Sequence, residues 1–389
     1  MKNIAILLTS EPQTGGEHQY LMLIAESLLK YNGKYYNLLA ISCTRFWDNW
    51  CKYNKVYYVH EKLKFYSEKA MRLQTRFSYL CLYQNMRNDP IGKIVWKYRI
   101  SLLICGQQGT FLPRYLCKLI RPVHDLMHRY EPDFQELKST YESREILFKS
   151  VARLSDVVLV DSKLGKKQFI ESYHTKRHFP EVKVLPFVVP RHIQKDEEEY
   201  IETPLKYIFY PAQFWEHKNH LNLIKALKIL IDNGQDIHLV LVGSEKNSLR
   251  RIKKEIAKND LQNNVEILGF VSDKQITYLY KHAVALVMPS YFGPTNIPPL
   301  EAMALGCPTI VSDRYAMGEQ VGDAGLLFDP DSPQEIANCI LKVCDDKELR
   351  NQMIKKGYEQ VSKWTEKDFK KRFMQIVLGK FFRLQSMMG

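Results

Sequence analysis

The chain has 389 residues, 45% hydrophobic and 25% charged, with a formal net charge of +13. That length is more than one compact core serves and suits two domains of ~150–200 residues, and the composition excludes a disordered or fibrous chain. Eight cysteines without a CxxC pair argue against a zinc module, and no apolar run approaches the ~20 residues of a bilayer span.

The opening MKNIAILLTSEP lacks a signal-peptide cleavage site, so a cytoplasmic protein is expected. Its run Ile4–Leu8 reads as a buried strand, and Leu21, Ile24, Ala25 and Leu28 mark a helix over about 17–29. Between them, Gly15 and Gly16 lie where a strand turns into a helix N-terminus. Glycines there let the backbone approach an anion, though Gly-Gly is equally ordinary turn chemistry. The spacing is not GxGxxG, so a simple dinucleotide fingerprint fails.

Charge is uneven along the chain. Residues 1–190 hold 29 Lys and Arg against 17 Asp and Glu, whereas 191–389 hold 27 against 26. The excess concentrates between Arg45 and Arg129, 16 basic residues against 5 acidic, with Tyr53, Phe65, Tyr79 and Trp96 among the interleaved aromatics. A solvated face, a surface for anionic lipid headgroups or an anionic glycan, and a nucleic-acid surface all fit. No nucleic-acid recognition module accompanies the charge, so nucleic acid is not an expected partner.

Ser101–Cys105 and Val157–Val160 are further strands of this half. The stretch VHDLMHRYEPDF (123–134) follows no strong strand; His124 beside Asp125 serves either as a polar ligand contact or as a structural pair with Asp125 capping a turn. His124 and His128 stand four apart without a third ligand, and no metal is expected.

The polar stretch RHIQKDEEEYIETP (191–204) reads as a linker between a first domain, 1–190, and a second, 205–369. The second half repeats the alternation of short apolar runs and helices, with strands at Tyr207–Tyr210, Ile237–Val242, Val265–Leu268, Ala285–Met288 and Thr309–Ser312. Lys218 falls at a strand-to-helix turn in YPAQFWEHKNH (210–220), where it can hold a diphosphate beside helix amides. In YFGPTNIPPLEAMALGCPTI (291–310) a tight loop leads to Pro298 and Pro299 opening a helix, with Glu301 expected in its first turn. Such a loop aims amides at phosphates and a carboxylate at a hydroxyl pair. A basic helix over 363–382 closes the chain, its part from about 370 to 389 expected to pack back on the first domain. The architecture expected is α/β: two Rossmann-like domains facing each other across a cleft, with ligands at the carboxyl ends of the strands.

The Gly-Gly loop, His124-Asp125, VVLVDS (157–162), VLPF (184–187), the Lys218 turn, LVG (241–243), LGFVSD (268–273) and PSYFGPTNIPPLEAMALGCP (289–308) together resemble the family 4 retaining glycosyltransferases of GT-B fold. The resemblance implies transfer of a sugar from a nucleotide-diphosphate donor to a glycan or lipid-linked glycan, without a cofactor or metal. The YPAQFW and GPTNIPPLEA stretches point to mannose or a deoxyhexose such as rhamnose. By the same correspondence Lys218 neutralises the diphosphate, Glu301 holds the ribose and His124 touches the transferred sugar. Gly15, Gly16, Gln213, Gly243, Phe270, Gly293, Thr295, Asn296 and Ile297 complete the donor site.

Two positions depart from the family pattern: Gly293 stands where a glutamate is usual, and Gln213 where an arginine is usual. A non-catalytic GT-B protein that binds sugar nucleotide or glycan is the alternative they support. With a lipid-linked acceptor, the basic first half would hold the protein at the inner membrane face.

Overall fold

A computed structural model describes residues 1–12, 15–175, 178–293 and 296–382. The chain forms two compact units. The first contains residues 1–130, 139–187 and the C-terminal helix; the second contains 131–138 and 188–365.

The first unit is built on seven parallel strands: β1 (Lys2–Leu8), β2 (Tyr36–Ser42), β3 (Tyr58–His60), β4 (Ile100–Cys105), β5 (Lys118–Pro122), β6 (Val157–Val160) and β7 (Glu181–Val184). Their order is β3-β2-β1-β4-β5-β6-β7. Ile4 to Leu8 and Val157 to Val160 are fully or almost fully buried, the mark of strands covered by helices on both faces. β5 has a less obvious sequence, because Arg121 lies inside it. That guanidinium is 1% exposed and donates to Ser155 Oγ at 2.9 Å and to the Ser150 carbonyl at 3.0 Å, while its Nη1 has no hydrogen-bond partner among the described residues, so the buried charge is met in part. The 123–134 stretch therefore does follow a strand, and His124 lies just beyond its carboxyl end.

The C-terminal helix, Glu366–Phe382, belongs to this first unit. Phe369 and Phe373 are fully buried, and the Phe369 ring meets Tyr20 edge-on at 5.4 Å. Lys370 pairs with Glu26 at 3.2 Å, and Arg372 Nε donates to the Val184 carbonyl at 2.9 Å.

The second unit holds six parallel strands: β8 (Tyr207–Pro211), β9 (His238–Val242), β10 (Val265–Gly269), β11 (Ala285–Met288), β12 (Thr309–Ser312) and β13 (Gly325–Phe328), in the order β10-β9-β8-β11-β12-β13. One continuous apolar core serves it.

Two boundaries differ from those read in the sequence. Residues 191–204 are not a free linker. They open with a short helix, Arg191–Gln194, whose Ile193 is 2% exposed within the second core, and Asp196 and Glu197 pair with Lys281 and Lys274 at 3.0 Å each. Residues 131–138, placed by sequence order in the first domain, dock instead on the second unit, for reasons given below.

Candidate functional site

Parallel strands deliver their following loops to one end of a sheet, and in the second unit the loops after β8, β9 and β11 meet there. They are tied together by main-chain bonds. Phe214 N–H donates to the Ser244 carbonyl at 3.1 Å, and Tyr291 N–H donates to the His217 carbonyl at 2.8 Å. Gly243 lies where these loops converge: a Cβ there would stand 2.2 Å from the Ala212 carbonyl oxygen, so no other residue fits.

Lys218 ends a 3₁₀ turn, Glu216–Lys218, rather than opening an α-helix. Asn219 then takes a left-handed conformation (φ 57°) and donates from Nδ2 to the Pro289 and Pro330 carbonyls at 3.1 and 2.8 Å. The Tyr210 hydroxyl holds the Lys218 carbonyl at 3.0 Å, and Lys218 Nζ comes within 3.4 Å of Asn296 Oδ1. The turn is gripped from outside by the 131–138 segment. Glu136 Oε1 accepts from the His217 N–H at 3.2 Å and contacts His217 Nδ1 at 2.6 Å, and Glu136 Oε2 accepts from Asn247 at 2.9 Å. Burial alone would raise the Glu136 pKa, but the His217 and Asn247 hydrogen bonds outweigh it and bring it down to about 2. Phe134 packs edge-on against Phe292 at 5.5 Å, and Phe292 stacks on His217 at 3.8 Å.

Asn296 caps the helix Ile297–Ala304. Gln320 closes this loop by accepting the Asn296 N–H at 2.9 Å and donating to the Asn296 carbonyl at 2.5 Å. This corrects one expectation: the Asn296 amide is committed within the chain and is not available to a phosphate. Pro298 and Pro299 have no N–H, so Ile297 supplies the first-turn amide without an acceptor among the described residues. Thr295 lies outside the described residues.

Gly293 has φ +117°, and a Cβ there would approach the Asn296 side-chain amide to 2.6 Å. A glutamate in this backbone conformation would be strained, which gives the departure a conformational cause. Gln213 is exposed and accepts from Trp215 Nε1 at 2.9 Å, with Lys246 Nζ 5.2 Å from the Trp215 ring. Phe270 is 96% exposed at the end of β10.

Glu301 lies in the second turn of its helix, not the first, so a dipole interaction is not its role. Its carboxyl is 8% exposed; the Tyr280 hydroxyl donates to Oε2 at 2.7 Å, and His192 Nε2 stands 3.7 Å from Oε1. Burial raises its pKa to about 7 against the lowering effect of the Tyr280 bond, with Asp273 raising it further. Gln320, Tyr280, His192 and Glu136 were not read from the sequence. Only Glu136 and His192 lay in stretches singled out there or beside them, and nothing local marks the contacts they make.

The first unit gathers the remaining expected residues at the carboxyl end of its own sheet. Gly15 (φ 63°) precedes the helix Gly16–Leu29, with open space around its Cα. Glu17 Oε1 accepts the Gln108 N–H at 3.0 Å, and Gln108 Oε1 in turn accepts the His124 N–H at 2.7 Å. The His124 ring packs between Tyr20 and Phe187, at 4.8 and 5.2 Å. Both its ring nitrogens are out of solvent and without a hydrogen-bond partner among the described residues. Burial lowers its pKa to about 4, so the imidazole is neutral and has one donor and one acceptor to offer a ligand. Asp125 is held by Arg144, Gln108 and the Met127 N–H.

For Asp329 and Asp331, the nearest thing to a DxD pair, Arg314 binds both carboxylates at 3.1 and 2.8 Å. Among the described residues no three His, Cys, Asp or Glu side chains converge as a metal-ligand set, and no helix is long and apolar enough to cross a membrane.

Residues 193–360 match the family model for glycosyl transferases group 1. Through these residues the chain resembles the group 1 glycosyl transferases. It is 28% identical to the O-antigen chain mannosyltransferase RfbU of Salmonella typhimurium over 64% of this chain and 67% of that one. Among solved structures, a sucrose-phosphate synthase from Thermosynechococcus elongatus superposes with a TM-score of 0.71 at 17% identity, covering 98% and 99% of the two chains. WaaG, a glycosyltransferase involved in lipopolysaccharide biosynthesis, gives 0.66 at 15% identity, covering 97% of this chain and all of the other. The fold they share with this chain is GT-B.

The Glu301 environment gives a stability prediction. With its folded pKa raised to about 7, the carboxyl holds its proton more tightly in the native state than in the unfolded chain. Its contribution is therefore present below about pH 4.5 and lost as pH rises to about 7. Urea titration of the parent and Glu301→Gln proteins at pH 5 and pH 8 should show the parent losing about 2–3 kcal/mol more than the variant. Parallel losses would mean that Glu301 ionises normally.

Proposed function

We propose that this protein is a retaining group 1 glycosyltransferase moving a sugar, mannose or a deoxyhexose such as rhamnose, from a nucleotide-diphosphate donor to a glycan or lipid-linked glycan. The observation carrying the reading is the approach of Lys218 Nζ to the Asn296 cap of the helix Ile297–Ala304. A helix N-terminus bears partial positive charge, and a lysine ammonium beside it adds to that charge, a combination that suits a diphosphate.

Loss of a nucleoside diphosphate builds negative charge on the leaving oxygen, and Lys218 with the Ile297 amide is positioned to stabilise it. The acceptor hydroxyl oxygen bonds to the anomeric carbon as the carbon–phosphate oxygen bond breaks, on the same face. The hydroxyl proton passes to the departing diphosphate, so no protein base is required, and Lys218 supplies the positive charge in place of a metal ion. Glu301, once ionised, accepts from the donor ribose, and neutral His124 contacts the transferred sugar. The name of the O-antigen mannosyltransferase relative supports the choice of sugar and of a surface-polysaccharide acceptor.

A lipid-linked acceptor also gives the basic stretch of the first unit a role. Tyr53, Phe65, Tyr79, Leu80, Tyr83 and Trp96 are 64–88% exposed there, among lysines and arginines. Exposed aromatic and apolar side chains set among cations suit the interface of an anionic bilayer, each cation adding about 1 kcal/mol near the surface.

Two outcomes follow. Lys218→Ala should lower kcat by ~10²–10³-fold, as for loss of one electrostatic stabiliser, in a radiolabelled-donor transfer assay; near-normal turnover removes the proposed role. In liposome flotation the protein should partition to vesicles containing phosphatidylglycerol and not to pure phosphatidylcholine. Equal partitioning to both would contradict the electrostatic attachment.

A further inference from the structure

The helices Glu68–Arg76 and Tyr141–Leu154 of the first unit pack side by side, and a cavity of about 400 Å³ opens beside them and the end of the helix Lys163–Tyr173. Its floor is largely apolar: Ile146, Ala152 and the Tyr173 ring are 2–5% exposed. Arg72, Lys149 and Arg153 line its rim.

The charges around it are unequal. Beneath the floor, Glu145 is neutralised by Arg129, through two bonds of 2.8 and 2.5 Å, and accepts a further hydrogen bond from the Tyr173 hydroxyl at 3.0 Å. Burial raises the Glu145 pKa, but the Arg129, Lys149 and Tyr173 hydrogen bonds outweigh it and hold the carboxyl ionised. Lys149 is thus a second cation on a carboxylate that Arg129 already serves, at 2.9 Å. Arg72 shares an exposed pair with Glu142 at 2.8 Å, both side chains more than half exposed. Pairs of this kind are weak and yield readily to a stronger anion. The Arg153 guanidinium has no hydrogen-bond or ion-pair partner among the described residues. A cavity with a greasy floor and three cations around its mouth, one of them unpaired, is built for a doubly charged head on an apolar body.

Topology separates it from the site above. The helix Tyr141–Leu154 ends just before β6 begins, and the helix Lys163–Tyr173 ends before β7. The cavity therefore lies toward the amino-terminal end of the sheet, whereas Gly15, Gly16 and His124 follow the carboxyl ends of β1 and β5. We propose that this cavity binds a phosphate-headed ligand with an apolar tail, at a site separate from donor and acceptor chemistry. Two sources share that chemistry: a phospholipid headgroup in a bilayer and a free amphipathic phosphate.

The test compares the full-length protein with Lys149→Gln/Arg153→Gln and with Arg153→Glu. Both substituted residues are exposed and outside the transfer site; because Lys149 also contacts the buried Glu145, melting curves are recorded to establish that each variant is folded. Monomeric octyl phosphate is titrated calorimetrically, and flotation is measured on phosphatidylcholine vesicles with and without phosphatidic acid. Saturable octyl phosphate binding weakened tenfold or more in both variants supports the site with a soluble source. Binding to phosphatidic acid vesicles alone, lost in both variants, supports it with a bilayer source. Absence of binding to either probe, or equal binding by parent and variants, overturns it. None of these readings involves the sugar donor, so failure here is separate from failure of the transferase reading.

Discussion

The constraint on which the second unit's chemistry depends is the fixing of the turn Glu216–Lys218. A 3₁₀ turn of three residues has little stability of its own. Here Glu136 takes both the main-chain N–H and the ring nitrogen of His217, and Phe292 stacks on a face of that ring. Because Glu136 stays ionised down to about pH 2, the grip holds across the whole physiological range. Lys218 is the next residue. Its position beside Asn296 is thereby set by packing and hydrogen bonding before any ligand arrives, which is the condition for an electrostatic site to act without reorganisation.

A parallel α/β architecture was legible wherever a strand is covered on both faces. Ile4–Leu8, Val157–Val160 and Ala285–Met288 are uninterrupted apolar runs, and each is a strand. β5 escaped because Arg121 and Pro122 break its run, and the arginine's partners, Ser150 and Ser155, lie about thirty residues on. β3 has three residues and sits at the sheet edge, where little apolar pattern is needed. The acidic stretch at 191–204 looked like a linker because its composition is polar. Its ion pairs to Lys274 and Lys281 and the insertion of Ile193 depend on a helix eighty residues away, which no local pattern reports.

The site divides the same way. Lys218 and Glu301 stand in compact, recognisable stretches. The groups that orient them arrive from elsewhere: Glu136 from a segment between two helices of the first unit, Tyr280 from the helix Asp273–His282, and Gln320 from beyond β12. The two departures from the family pattern also separate once the backbone is known. Gly293 is tied to a left-handed conformation and belongs to the loop's shape. Gln213 is an exposed side chain held by Trp215, and Lys246 stands over the same ring, so positive charge is present near the place where the arginine is missing.

The central claim is that the turn ending in Lys218, together with the Ile297 amide, binds a diphosphate without a divalent ion. The most direct measurement is calorimetric titration of the intact protein with UDP, GDP, ADP and dTDP in the presence of EDTA. One nucleoside diphosphate should bind saturably under those conditions, and its monophosphate much more weakly. Heat of binding that appears only when magnesium or manganese replaces the chelator, or equal affinity for the mono- and diphosphate, would contradict the account.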